Sequence, residues 1–155
     1  CGVCMMHMHR DPQTMQVAPM AGDVVPAVTT FLIERAQALR DQQVEPSRIV
    51  LDPGIGFGKT VAQNFALLAR QRELLAAGYP VLAGWSRKSS LGAATGIEPA
   101  DARMVPSVAA ALLAVERGAA VVRVHDVRDT VAALAVWRTM RASGQQDSLQ
   151  EKTKT

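Results

Sequence analysis

Aromatic residues are scarce in this chain, and long apolar runs are missing. Phe, Trp and Tyr together make up 4% of its 155 residues, too few for the aromatic platforms on which single-stranded nucleic acids stack. No apolar run approaches the roughly 20 residues of a membrane-spanning helix. Charge is moderate as well, with 20% charged residues and a net charge of +3. We therefore expect neither a nucleic acid nor a membrane as a partner.

Cysteine is rare too, since the chain has only Cys1 and Cys4. Both lie in a segment with the character of a strand, where residues three apart face opposite sides. We interpret them as structural or incidental thiols in a reducing cytoplasm, and not as a redox pair. The chain begins inside this apolar strand and has no signal-peptide pattern. We therefore expect a cytoplasmic protein and a fragment whose beginning lies elsewhere.

One strand–helix unit is repeated four times along the chain. Short apolar runs predict strands at residues 2–6, 49–51, 81–83 and 120–124. Apolar residues at helical spacing predict helices over about 23–43, 61–77, 106–117 and 129–142. In the last of these helices, we expect Val131, Leu134 and Ala135 to be buried. The segment SRKSSLG between the third strand and third helix is expected to be a loop. Residues 143–155 have no apolar face, and we expect a polar, disordered tail there.

This alternation predicts a parallel sheet with right-handed crossovers. Polar side chains follow each predicted strand, and ligands of parallel α/β proteins bind at that edge, above all in (β/α)₈ barrels. Four units are half of such a barrel and would leave two strand edges open. We therefore expect residues 1–142 to supply about the last four βα units of a TIM (β/α)₈ barrel, with the other four units before Cys1.

The most informative segment is IVLDPGIGFGKT, residues 49–60. An apolar strand ends in Asp52, and three alternating glycines follow that allow positive φ and a close approach of ligand to backbone. Gly58, Lys59 and Thr60 match the end of a phosphate-binding P-loop pattern. Pro53, however, stands where that pattern has its first glycine, and it removes an amide from the phosphate cradle. A nucleotide-binding protein is therefore the weaker alternative, and Asp52 favours a donor-rich ligand.

Two histidines, His7 and His9, follow the first strand at alternate positions and would point to the same side, as metal ligands do. A metal site needs further ligands, and His125 is the remaining histidine of the chain. We favour the simpler interpretation that His7 and His9 are loop residues beside a pocket, and we expect no metal ligand in this chain.

Cationic residues follow the third and fourth strands. Arg87 and Lys88 lie among small hydroxyl residues in GWSRKSS, and Gly84 gives a ligand access to the backbone. Arg123 and His125 lie on the same side of the fourth strand. Such groups suit anions. Together with Asp52, they predict a site for a donor-rich heterocycle that carries phosphates.

Four motifs, in this order and at these spacings, resemble the second half of dihydropteroate synthase: MHMHRDPQTMQ, LDPGIGFGK, GWSRKS and RVHDV. The resemblance covers nearly the whole chain apart from the tail and corresponds to the family's fifth to eighth strands. It implies a transferase of folate biosynthesis, commonly a homodimer, and a target of sulfonamides. The family joins p-aminobenzoate to 6-hydroxymethyl-7,8-dihydropterin diphosphate and releases 7,8-dihydropteroate and diphosphate.

The resemblance also implies roles for residues in each motif. Asp52 and Lys88 would be the catalytic residues, Asp52 by pairing with the pterin's N–H edge and Lys88 by lying between the two substrates. The implied pterin contacts are Asp52, Gly84, Lys88 and Met8. The implied p-aminobenzoate contacts are Phe57, Ser89 and Arg87. The implied diphosphate contacts are Arg123 and His125. Mg²⁺ is the implied cofactor, with its ligand expected in the missing N-terminal half.

Three residues depart from the family pattern: His9 stands where glutamine is frequent, Trp85 where methionine is common, and Pro106 where a more flexible residue is usual. Trp85 adjoins Gly84 and could reshape the floor of the pocket. Because the first four strands are missing, we also expect the isolated chain to be inactive. A catalytically incompetent half-barrel remnant is the second alternative to the enzyme.

Overall fold

The computed structural model describes the backbone of residues 1–152 and the side chains of residues 1–144. In this part of the chain the strands are β1 (Val3–Met6), β2 (Ile49–Asp52), β3 (Leu82–Ala83) and β4 (Val121–Val122). The helices are α1 (Val24–Asp41), α2 (Val61–Ala69), α3 (Gln71–Leu75), α4 (Ser89–Thr95), α5 (Met104–Glu116) and α6 (Val127–Lys152). Short 3₁₀ turns at Pro46–Arg48 and Asp101–Arg103 precede β2 and α5. No helix of this described part is long and apolar enough to cross a membrane.

The strands are parallel and follow chain order. β1 pairs with β2 so that Met6 lies opposite Asp52, and β3 pairs with β4. A parallel bridge between Leu51 and Val81 connects the two pairs. The parallel α/β arrangement predicted from the sequence is therefore confirmed, and the carboxyl ends of all four strands lie along one edge.

The core lies between the sheet and the helices on one of its faces. Val25, Val28 and Leu32 of α1 are at most 1% exposed and pack with Ile49 and Leu51 of β2. Each such side chain contributes about 1.5–3 kcal/mol by leaving water. The other face of the sheet is more open, since Cys4 is exposed and its neighbour in register, Val50, is only half-buried.

α1 begins as the sequence predicts. The carboxylate of Asp23 accepts a hydrogen bond from the Val25 amide at 3.1 Å and caps the helix. Pro26 lies in the first turn, where its missing N–H has no helical partner to lose. The capping side chain at the entrance thus sets where this helix starts.

Two expectations for the middle helices are corrected. The helix predicted over residues 61–77 is two helices, because α2 ends at Ala69 and α3 begins at Gln71. The segment SRKSSLG is not a loop throughout, since α4 starts within it at Ser89 and stops at Gly96, which has φ +72°. This short helix consists largely of small residues, so the sequence has no apolar periodicity from which the helix could be predicted.

The last helix is also corrected. α6 extends to Lys152, past the expected end near Ala142, and residues 153–155 of the expected tail lie outside the described residues. A disordered tail from residue 143 is therefore wrong as far as Lys152, whereas the domain boundary at 142 stays a prediction. The expected burial of Val131 and Ala135 is wrong too, because both are exposed and Thr130 is buried instead.

Candidate active site

Polar side chains from three strand ends converge around Asp52. Asp52 ends β2 and is 3% exposed, and Nη2 of Arg123, after β4, lies 4.0 Å from its Oδ2. A Cβ at position 84 would lie 2.7 Å from the same nitrogen. Gly84, after β3, therefore leaves the space through which the Arg123 guanidinium reaches toward Asp52.

The environment of Asp52 has opposing effects on its charge. Burial raises the pKa of its carboxyl group, whereas a hydrogen bond from the Gly54 amide and the nearby cations Arg123, Lys88 and Lys59 lower it. The Gly54 amide donates to Oδ1 at 2.7 Å. A ligand that donates further hydrogen bonds to this carboxylate would stabilise its ionised form.

Lys88 lies against the loop after β2, residues 53–59, which we call the glycine loop. Its Nζ is 4.2 Å from the centroid of the Phe57 ring, a cation–π contact. A Cβ at Gly56 would lie 3.3 Å from Cδ of Lys88, so the lysine chain runs directly over that glycine. Burial, and secondarily Arg123, lowers the pKa of Lys88. The loop thus places Phe57 and Lys88, two residues singled out in the sequence, beside each other.

Lys59 of the glycine loop is turned inward. Its Nζ donates to the carbonyl oxygens of Gly54 at 2.9 Å and Phe57 at 3.1 Å, and it lies 3.0 Å from Nδ1 of His7. Burial lowers the pKa of Lys59 to about 8. Because its three N–H groups are used inside the protein, Lys59 cannot serve as a phosphate-binding P-loop lysine, and that alternative is wrong.

His7 is buried behind the loop and is not arranged as a metal ligand. Its Nδ1 faces the Lys59 ammonium group, and its ring packs edge-on against Phe31 with centroids 5.0 Å apart. Burial, with Lys59 next in effect, lowers the pKa of His7 to about 4. Within the described residues, no group of three His, Cys, Asp or Glu side chains could hold a metal ion.

A cavity of about 350 Å³ opens beside the convergence point. Its lining includes Gly84, Ser86, Arg87, Lys88, Arg123 and His125. The His125 amide donates to Oγ of Ser86 at 3.1 Å, and Ser86 Oγ lies 2.8 Å from Nδ1 of His125. The Ser86 hydroxyl therefore contacts both the backbone and the ring of His125 and holds that side chain beside the cavity. Arg123 and His125 line one cavity, as their positions in the sequence suggest.

Arg87 has a partner within the protein. Its Nη2 lies 2.8 Å from Oδ1 of Asp126, and this hydrogen bond lowers the pKa of Asp126. The Arg87 amide, at φ +60°, donates to Oγ of Ser107 at 2.9 Å. Its charge is thus largely balanced by Asp126. Of the other predicted contacts, Ser89 is exposed at the start of α4, and Met8 is half-buried after β1.

Trp85 does not lie in the pocket. It is 2% exposed and packs in the core against Phe65, with ring centroids 5.2 Å apart. Trp85 therefore does not form the floor of the cavity, whose lining does not include it. Successive residues of a strand end face opposite sides of the sheet, so Gly84 borders the cavity while its neighbour faces the helices.

The sequence analysis missed a buried polar residue behind the site. Asn64 of α2 is 1% exposed, and its side chain bonds both the Gly56 amide and the Ser90 hydroxyl. A signal was present, because Asn64 shares the helical spacing of Leu67 and Leu68 and so belongs to the buried face of α2.

Comparison with known proteins decides the family. The family model described as pterin binding enzyme matches residues 1–125. The chain belongs to the pterin-binding enzyme family. It is 49% identical over 140 residues to the dihydropteroate synthase of Neisseria meningitidis serogroup C, covering 90% of this chain and 50% of the relative. It is 41% identical over 134 residues to that of Escherichia coli (strain K12), covering 86% and 47%.

Solved structures agree with this assignment to the pterin-binding enzymes. Dihydropteroate synthase from Stenotrophomonas maltophilia superposes with a TM-score of 0.88 at 47% identity, covering 91% of this chain and 53% of the other. The Burkholderia cenocepacia enzyme complexed with 7,8-dihydropteroate gives 0.84 at 55%, covering 94% and 54%. The chain shares the fold of the matching parts and spans about half the length of the curated relatives it matches.

Proposed function

We propose that this chain is the C-terminal half of a (β/α)₈ barrel that acts as a dihydropteroate synthase. The observation that carries the proposal is the convergence of Asp52, Lys88 and Arg123 at the carboxyl edge of a parallel sheet, with Arg123 4.0 Å from Asp52. A buried carboxylate beside cations suits a substrate that presents N–H donors at one end and a diphosphate at the other.

The pterin ring would bind at Asp52. Its carboxylate can accept two parallel hydrogen bonds from the amino group and ring N–H of the pterin, which gives orientation as well as affinity. Lys88 would donate to the pterin carbonyl, and Gly84 and Met8 would border the ring. The burial of Asp52 strengthens these bonds, because water competes less for the carboxylate.

p-Aminobenzoate would lie on the other side of Lys88. The Phe57 ring, already in contact with the Lys88 ammonium group, would pack beside the benzoate ring. The Ser89 hydroxyl and Arg87 would contact the carboxylate, with Asp126 fixing the position of the Arg87 guanidinium. Sulfonamides would compete for this place. A sulfonamide complex is known for the related Yersinia pestis enzyme.

Arg123 and His125 would hold the diphosphate. In the reaction, the bond between the pterin methylene carbon and the diphosphate oxygen breaks and the leaving group takes the electron pair. The amine nitrogen of p-aminobenzoate then bonds to that carbon and loses a proton. Because negative charge grows on the leaving oxygen, fixed cations stabilise the transition state, and no protein nucleophile is required.

The other half of the barrel would pair with the two edge strands, β1 and β4, and so enclose the open face of the sheet, where Cys4 is exposed and Val50 half-buried. The Mg²⁺ that the resemblance implies would be held by the other half of the barrel. We further propose that the complete protein is cytoplasmic, in keeping with the two free cysteines of this chain, and that it is a homodimer, as the resemblance implies.

Pterin binding tests the proposal directly. Calorimetric titration of the chain with 6-hydroxymethylpterin should show binding that Asp52→Asn and Lys88→Met each abolish. The control is Asp41→Asn, which changes an exposed carboxylate at the end of α1 and should leave affinity unchanged. Unaltered affinity in the Asp52 and Lys88 variants would reject these assignments.

Catalysis tests the half-barrel part of the proposal. When the chain is incubated with both substrates and Mg²⁺, it should not reach the rate of 7,8-dihydropteroate formation that is typical of the complete enzyme. A chimera that replaces the corresponding half of the Burkholderia cenocepacia enzyme with residues 1–142 should form it. An inactive, stably folded chimera would favour the incompetent-remnant alternative.

A further inference from the structure

The side chain of Asn64 connects two parts of the candidate site. Its Oδ1 accepts a hydrogen bond from the Gly56 amide at 2.9 Å, and its Nδ2 donates to Oγ of Ser90 at 3.0 Å. A longer contact of 3.4 Å joins Nδ2 to the carbonyl oxygen of Lys59. Asn64 and Ser90 are 1% and 2% exposed, so water does not compete for these bonds.

Gly56, one of the two groups held by Asn64, is a contact point for the site. Its φ is +83°, and the side chain of Lys88 runs over it. Its carbonyl oxygen accepts a hydrogen bond from Nε2 of Gln16 at 2.7 Å. Its peptide groups are thus bonded by Asn64 from the buried side and by Gln16 from the β1–α1 connection.

Ser90, the other group held by Asn64, belongs to the first turn of α4. Lys88 immediately precedes α4, so a displacement of this turn would move the lysine. The ammonium group of Lys88 lies 4.2 Å from the centroid of the Phe57 ring, and Phe57 follows Gly56 in the glycine loop. The separation of Lys88 from Phe57 therefore depends on how the loop is held against α4.

We propose that Asn64 is a positioning residue, which couples the glycine loop to the start of α4 and so sets the placement of Lys88 over Phe57. One amide side chain donates to one element and accepts from the other. Neither a hydrocarbon nor a shorter side chain at position 64 could do both. The proposal concerns geometry; its importance for substrate alignment rests on the proposed function.

Nuclear magnetic resonance of the full chain tests the placement without any substrate. The ε-methylene group of Lys88 is next to Nζ above the Phe57 ring, so its proton resonance should show an upfield ring-current shift. The resonance is assigned by its loss in Lys88→Arg, and the shift should disappear in Phe57→Leu. Asn64→Ala should lose most of this shift. Ser90→Ala, which removes only one of the two connections, should lose part of it.

Gln71→Ala is the matched control for a buried amide. Gln71 is 2% exposed, and its Nε2 donates to carbonyl oxygens at the end of α5, at 2.8 Å for Ala114, away from the site. This variant should be destabilised but keep the Lys88 shift. A shift retained in folded Asn64→Ala and Ser90→Ala, or lost equally in Gln71→Ala, would overturn the proposal.

Pterin titration of the same variants separates this inference from the proposed function. Absent pterin binding in the unaltered chain counts against the proposed function, while the Lys88 resonance still decides the role of Asn64. If pterin binds, Asn64→Ala should weaken it at least tenfold and Gln71→Ala should not. Equal affinities in the two variants would contradict a positioning role in substrate binding.

Discussion

His7 should make the stability of this protein sensitive to mildly acidic pH. The fold lowers the pKa of His7 from 6.5 to about 4, through burial first and the Lys59 ammonium group second. His9 adds a smaller effect of the same sign. The unfolded chain therefore binds a proton at a higher pH than the folded chain does. Stability is unaffected above about pH 6.5 and falls as the pH drops toward 4.

The size of the effect follows from this difference. A drop from 6.5 to about 4, at about 1.4 kcal/mol for each pH unit, lowers the free energy of unfolding by about 3 kcal/mol. The geometry also disfavours protonation of His7, because its Nδ1 lies 3.0 Å from Nζ of Lys59 and must accept a hydrogen bond from the ammonium group. A protonated imidazole has no free acceptor there.

Urea denaturation between pH 7.5 and 4 would measure this change. His7→Asn keeps an acceptor for Lys59 but does not titrate, so the difference in stability between the two proteins should change by about 3 kcal/mol over this range. His9→Asn, which removes only the smaller effect of His9 on the His7 pKa, should retain most of the pH dependence of the unaltered chain. A constant difference between the unaltered chain and His7→Asn would refute the reasoning.

Three further substitutions test the glycine loop and the helix after it, each by chemical denaturation. Gly54→Ala should prevent folding, because its Cβ would lie 1.8 Å from the His7 carbonyl oxygen. Gly22→Ala is the control: Gly22 also has a positive φ, but a Cβ there would have nothing within 4 Å, so this variant should lose only about 1–2 kcal/mol of stability. Similar losses in the two variants would contradict the close approach of Gly54 to His7. Lys59→Met removes three hydrogen bonds, at about 1 kcal/mol each, and should cost about 3 kcal/mol, so a loss below about 1 kcal/mol would show that Lys59 is not held as described. Thr60→Ala removes the capping box of α2 and should cost about 1 kcal/mol, and an unchanged stability would argue against that cap.

Much of the fold could be predicted from the sequence, because strands and helices have different apolar periods. The alternation of short apolar runs with helical spacing predicted the parallel sheet and the start of α1 at Asp23. The same reasoning missed α4, which is short and made of small residues. It also placed Val131 in the core, although apolar spacing alone does not say which flank of a helix has a neighbour.

The candidate site was partly predictable for a similar reason. Asp52, Lys88 and Arg123 each follow a strand, and parallel strands bring such residues to one edge whatever their distance in sequence. The roles implied for them by resemblance stay predictions. Pro53 argues locally against a phosphate-binding loop, but the direction of the Lys59 side chain depends on carbonyl oxygens that only the folded loop presents.

The sequence alone determined the order of the elements, the family and the residues at the strand ends, because these depend on local patterns and on motifs in register. Only the tertiary structure decided that Lys59 donates its hydrogen bonds within the protein, that Trp85 belongs to the core, and that Asn64 connects Gly56 to Ser90. Each of these depends on contacts between residues distant in the chain, and such contacts form only after packing has fixed the direction of every side chain involved.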